Sequence, residues 1–136
     1  PQIGIRGTRR IMGEYILTKA DVQNGRRFED GITIATFGID IHNPDSIQQN
    51  AGGPTKPYHI PYRCLIPKDL ENILVAGRCI SGEFEAHASY RVTGDCMAMG
   101  EAAGTAASLA LKNENNLREV NIESLRNKLK EQGVNF

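Results

Sequence analysis

NILVAGRCISGEFEAHASYRVTGDCMAMGEAAGTAASLAL, residues 72–111, is the stretch from which the fold is read. Ile73-Leu74-Val75-Ala76 is a continuous apolar run, as expected of a short strand covered on both faces. Gly77 ends it, and Arg78–Tyr90 reads as a polar loop with two acids and one histidine. A long helix rich in alanine and glycine is predicted to start within Arg91–Asp95. Its first turn would aim unsatisfied backbone N–H groups and the positive end of its dipole at the loop. That makes an anion site beside the carboxyl end of a buried strand, where open α/β sheets bind ligands.

The helix carries its own packing argument. Ala98, Ala102, Ala106 and Ala110 recur every four residues, with Gly100 and Gly104 on a neighbouring stripe. Each glycine costs about 1 kcal/mol against alanine in a helix. Glycines are tolerated there when backbone approaches backbone, so the helix should lie tightly on a sheet or another helix. Met97, Met99, Leu109 and Leu111 add bulk elsewhere and read as core.

Upstream, Pro1–Leu17 alternates and reads as a long strand of period 2. Arg9 interrupts its more apolar face, either at a bulge or strand end open to water, or as a guanidinium aimed into a site. Arg6, Arg9 and Arg10 lie within five residues, which keeps substrate binding by all three in view. Thr18-Lys19-Ala20-Asp21 fits a capping box for a short helix that Gly25 stops. Gly31–Ile41 reads as a strand, with a bulge or close approach at Gly38. Asp45–Lys56 reads as a mobile loop. Tyr58–Pro67 is extended, and Pro61 and Pro67 keep their preceding residues from helix. His59 and Arg63 share parity there, so they either lie on a solvated edge strand or line a substrate pocket. Downstream, Asn113–Asn116 is a polar turn, and Asn121 can cap a last helix with Ile122, Leu125 and Leu129 on one face.

The 136 residues suffice for one domain, which could bury roughly two-thirds of the unfolded chain's surface. Sixteen basic residues balance sixteen acidic ones, which gives no support for a nucleic-acid or anionic-membrane partner. Cys64, Cys79 and Cys96 form no C-x-x-C pair, so neither a disulfide framework nor a metal site is expected. A reducing, cytoplasmic setting is the expectation. The longest weakly polar run, Cys96–Leu111, falls short of the ~20 apolar residues of a spanning helix. With Pro1 first and a strand-like opening, the chain reads as part of a longer one.

Three stretches carry a resemblance: GIRGTRRIMGEYILTKADV, IPYRCLIPKDLENILVAGRCIS and SYRVTGDCMAMGEAAGTAA. Together they resemble the C-terminal part of the FAD-dependent oxidoreductase family of bacterial flavoproteins, over residues 3–112. That family belongs to the wider two-dinucleotide-binding-domain group, which includes fumarate reductase-like proteins. The fold implied is α+β: a fragment of an α/β, Rossmann-like FAD-binding fold plus part of a β-rich substrate domain. Residues 1–67 would belong to the substrate side and 68–136 would close the FAD-binding domain. The G-x-G-x-x-G strand–turn–helix that holds the pyrophosphate is absent from this sequence. The resemblance implies that Ile73–Ala76 returns to the FAD sheet, with Gly77 and Arg78 toward the ribityl or pyrophosphate region. Val92, Thr93 and Gly94 would offer N–H groups to the flavin edge. His87 and Arg91 become candidate catalytic residues. The family commonly has an acid where Gly7 stands, a histidine where Phe84 stands, and Met-Pro where Thr93-Gly94-Asp95 stands.

The function implied is that of a C-terminal module of an oxidoreductase that moves a hydride between a small organic substrate and FAD. The parent's N-terminal half would be the partner, and the fragment alone would be inactive, hold FAD weakly and be able to self-associate. The alternative is a free-standing, non-catalytic α+β binding or scaffold module. A thiol hydrolase using Cys79 and His87 has no distinctive signature here.

Overall fold

The computed structural model describes residues 7, 9–41 and 53–136. The first helix, α1 (Lys19–Asn24), begins where its sequence directs. Thr18 Oγ1 accepts from the Asp21 N–H while the Asp21 carboxylate accepts from the Thr18 N–H. Gly25, at φ +68°, closes the helix in the left-handed conformation that glycine adopts without strain.

Strand β1 (Gly31–Ala35) pairs antiparallel with β2 (Tyr58–Pro61), with an irregularity between Gly31 and Thr33. The irregularity lies seven residues before Gly38, the position expected for a bulge or close backbone approach, where an added Cβ would come no nearer than 4.0 Å to the Gly53 carbonyl oxygen. Gly31 there leaves room for His59, since a Cβ on it would lie 2.3 Å from the imidazole Nδ1. β1 also ends six residues before Ile41, the expected boundary, and Thr36–Ile41 runs without regular structure. After β2 the chain turns into a 3₁₀ segment, Tyr62–Cys64. The Tyr58–Pro67 stretch is thus not regularly extended, and the alternation that paired His59 with Arg63 is lost.

Pro1–Leu17 does not form the expected long strand over its described residues, and residues 1–6 and 8 lie outside the description. Gly13 makes an isolated antiparallel bridge with Pro67, and Leu17 a parallel one with Gly82. The segment otherwise takes scattered bonds: Ile11 N–H to Cys79, Glu14 N–H to Ile66, and Lys68 N–H back to Met12. Gly13 is needed where segments cross, since a Cβ there would sit 2.7 Å from that of Ser81. Most of the Asp45–Lys56 loop, residues 45–52, also falls outside the described residues.

Ile73–Ala76 is apolar but is not a strand. A strand needs a neighbour for its ladder, and this run makes one such contact, Val75 N–H to Leu65 O at 2.9 Å. It is half-exposed instead of covered on both faces. Arg78–Tyr90 departs from the expected loop as well. After a turn closed by Ile80 N–H to Gly77 O, residues Phe84–Tyr90 form helix α2. Its Ala86, His87, Ala88, Ser89 and Tyr90 are all buried.

The long helix α3 (Thr93–Lys112) starts where expected and packs on β1 and on the last helix, α4 (Ile122–Glu131). Met99, Ala102, Ala106 and Ala110 face the core. Gly100 and Gly104 do not: a Cβ on either meets nothing within 4 Å. The glycine stripe is open, flanked by Met97 (70% exposed) and Leu111 (82%). Asn121 caps α4 by accepting from Ser124 N–H, and Leu125 and Leu129 are buried. The architecture is small α+β: four α-helices around a two-stranded antiparallel sheet, among the described residues. Among those residues, no helix is long and apolar enough to cross a membrane.

Candidate functional site

The start of α3 meets two other pieces of chain. One is the turn after Ala76. Gly77 is buried at φ +89°, a conformation side chains resist, and its α-carbon faces Cys96 in the first turn of α3. The other is Phe37–Asp40, the run that follows β1. It is strapped to α2 by main-chain contacts. Ser89 Oγ donates to Phe37 O, Asp40 N–H donates to Ala88 O at 3.3 Å, and Arg91 Nη2 donates to Asp40 O at 2.9 Å. Tyr58 OH lies 2.8 Å from Ser89 Oγ and holds the strap from below. Ile39 is buried as its anchor, leaving Phe37 and Asp40 directed outward.

A cavity of about 190 Å³ opens between these pieces, lined by Phe37, Asp40, Arg78, Arg91 and Val92. Arg91 is mostly buried and its Nη2 lies 3.9 Å from Asp40 Oδ2. Val92 is the N-cap of α3 and its side chain caps nothing, so the dipole and first-turn amides are not answered by a capping side chain. Thr93 and Gly94 are exposed on that first turn, and nothing lies within 4 Å of where a Gly94 Cβ would be.

Behind the cavity wall stands His87, 2% exposed, with no partner for Nε2 among the described residues. Burial, then the charges of Arg10, Arg91 and Arg78, push its pKa down to about 4, against a backbone hydrogen bond at Arg78. Near neutral pH the ring is uncharged. Its Cε1 lies 2.4 Å from a Cβ built on Gly7, so a glycine there leaves the ring its room. Asp95, on the first turn of α3, has a buried Oδ2 without a partner among the described residues, and burial raises its pKa to about 6.

The structure therefore brings together Gly77, Arg78, Arg91, Val92, Thr93 and Gly94, with His87 close behind and Arg10 near enough to act on its charge. Arg10 is anchored through Nε to Gly82 O at 2.8 Å. Arg9 is exposed and lines no described cavity, and Arg6 lies outside the described residues. His59 and Arg63 are engaged elsewhere. His59 Nδ1 lies 3.0 Å from Phe28 O and 3.1 Å from Phe28 N, and burial lowers its pKa. Arg63 binds Asp30 with two nitrogens, at 2.8 and 3.2 Å, and lies over the Tyr15 ring. Phe37 and Asp40 were not singled out from the sequence. The available signal was the break in strand pattern at Gly38, with one outward residue on either side.

No curated protein and no solved structure matches the chain. A family model does, over residues 1–129, and its description is FAD dependent oxidoreductase. Since that match spans all but the last seven residues, the chain belongs to the FAD-dependent oxidoreductase family.

Proposed function

We propose that this chain is the C-terminal module of a flavoenzyme and contributes one side of the cofactor and substrate site. Residues 1–67 then serve the substrate side and residues 68–136 close the FAD-binding domain. The observation that carries this reading is the convergence of Arg78, Arg91 and Val92 on one cavity at the uncapped start of α3. The residues fit an anionic, flat group on one side. Gly94 leaves the helix start open to backbone approach, and Arg78 is an exposed member of the lining.

Bound FAD would supply two-electron redox chemistry toward a small organic substrate. The first-turn amides of Val92, Thr93 and Gly94 and the α3 dipole oppose negative charge gathered at that helix start. Gly77 keeps the preceding turn tight against Cys96, and Arg78 adds a cation beside it. Arg91 orients an anionic substrate, itself oriented by Asp40. His87, held uncharged by burial and three arginines, keeps Nε2 without a partner among the described residues and carries no standing positive charge. Since half of the site lies outside this chain, titrating it with FAD should give no sub-micromolar quenching of flavin fluorescence. Tight binding by the isolated 136 residues would refute the half-site reading. In the protein extended by its upstream sequence, Arg78→Gln should weaken FAD binding about tenfold, the worth of one charge-assisted hydrogen bond.

A further inference from the structure

We propose that Cys79 and Cys96 form a dithiol site that a hydroperoxide closes to a disulfide, tying the Gly77 turn to the first turn of α3. The pairing is argued from the two thiols and the turn between them, and does not depend on the flavoenzyme reading.

Placement comes first. Cys79 lies two residues past Gly77, and Cys96 lies in the first turn of α3. Both sulfurs rest on one short piece of main chain, Ala76-Gly77. Cys79 Sγ lies 3.4 Å from Ala76 O, and Cys96 Sγ would lie 3.7 Å from a Cβ on Gly77. Glycine supplies no such Cβ, so no side chain at position 77 screens one thiol from the other. The two also share an electrostatic neighbourhood, since charge on Cys79 is felt at Cys96.

Access comes second. Cys79 is exposed, Cys96 is half-buried and Cys64 is fully buried. Burial, then Asp95 and Cys79, raise the Cys96 pKa against the pull of Arg78. At neutral pH Cys96 is therefore held as the thiol, a poor nucleophile. Cys79 is the sulfur that meets an oxidant from solvent, and Cys96 is the one that resolves the product. Burial also raises the Cys64 pKa and keeps that thiol from solvent, which makes it an internal control.

The chemistry closes with hydrogen peroxide as the simplest oxidant. The Cys79 sulfur attacks one peroxide oxygen, the O–O bond breaks, and the other oxygen leaves as water with the thiol proton. Cys79 is then the sulfenic acid. The Cys96 sulfur attacks the Cys79 sulfur, an S–S bond forms and the S–O bond breaks. The hydroxyl leaves as a second water with the Cys96 proton. The two sulfurs lose two electrons together, and one peroxide becomes two waters. Where thiols are otherwise kept reduced, such a bond is transient and redox-sensing. It would brace a helix start that no side chain caps.

The test is to treat the 136-residue chain with hydrogen peroxide, alkylate the remaining thiols under denaturing conditions, and map the peptides by mass spectrometry. Two of the three thiols should be lost, in a chain about 2 Da lighter before alkylation. A linked Cys79–Cys96 peptide should appear, and dithiothreitol should reverse it. The oxidised chain should also show a higher urea midpoint than the reduced one. Cys96→Ser should leave Cys79 stalled as a sulfenic acid that dimedone traps, whereas Cys79→Ser should leave Cys96 free at the same peroxide dose. Cys64→Ser should not affect the link. Three thiols still free, a link through Cys64, a link only between two chains, or Cys96 oxidised as readily without Cys79 would overturn the proposal. The link forming in a protein that, extended by its upstream sequence, binds no FAD would uphold the dithiol site and sink the flavoenzyme reading. FAD binding there without the link would do the reverse.

Discussion

Asp95 illustrates how burial, more than sequence distance, sets a group's behaviour. Its pKa is raised to about 6, and a raised carboxyl pKa means that the folded state binds the proton more tightly than the unfolded state. Stability is therefore lost as pH climbs from about 4 through 6, then stays at the lower level. Asp95→Asn should raise the melting temperature at pH 7.5 and leave it nearly unchanged at pH 4. Equal gains at both pH values would show that the carboxylate is not the cause. His87 has the opposite sign: with its folded pKa lowered to about 4, its contribution is full above 6.5 and is lost as pH falls toward 4. Gly31 makes a steric prediction. Gly31→Ala places a methyl 2.3 Å from a buried, hydrogen-bonded imidazole and should cost about 1–3 kcal/mol in denaturant unfolding. At this scale the sequence was legible where the signal is local. Thr18 and Asp21 are three residues apart and bond as expected, whereas Phe37 meets Ser89 and Asp40 meets Arg91 across about fifty residues that no spacing rule connects.

Elements follow the same division. α1, α3 and α4 begin at residues whose position or side chains mark a helix start, and those starts were legible. Thr18→Ala should lower stability by about 1 kcal/mol, read from the shift in urea midpoint. α2 was not legible, because Glu83 caps it without a side-chain hydrogen bond and its Glu-, His- and Ser-bearing sequence imitates a loop. Ile73–Ala76 failed in the other direction: its pattern is that of a strand, but a ladder requires a second strand that pattern cannot supply. Gly100 and Gly104 give a sign-sensitive test. Since a Cβ would meet nothing, alanine at either position should stabilise the isolated chain by about 1 kcal/mol. A loss of stability instead would mean that the stripe is already covered, for instance by self-association.

For the whole molecule, the pieces of candidate site legible beforehand were those in the continuous stretch from Gly77 to Gly94. The missing wall came from residues 37–40, brought in by tertiary hydrogen bonds. Family membership followed from three separated stretches read together, and it survives although the strand assignments at Pro1–Leu17 and Ile73–Ala76 do not. The exposed Met97 and Leu111, beside the open glycines, leave an apolar strip on α3. The chain should therefore dimerise or aggregate with rising concentration, read by light scattering, and Met97→Glu should suppress this.

Arg118 ties the N-terminal run to the far end of the chain. Its guanidinium pairs with Glu14 across 104 positions, lies 3.3 Å from Glu71, and donates to the carbonyls of Pro67, Lys68 and Leu70. The N-terminal run has no regular ladder of its own. Within this stretch of chain it is made well before its clamp, which lies 104 positions further on. Its order is thus acquired late, and a nascent chain halted before residue 116 would present Arg9–Leu17 to proteases more openly than the folded chain does.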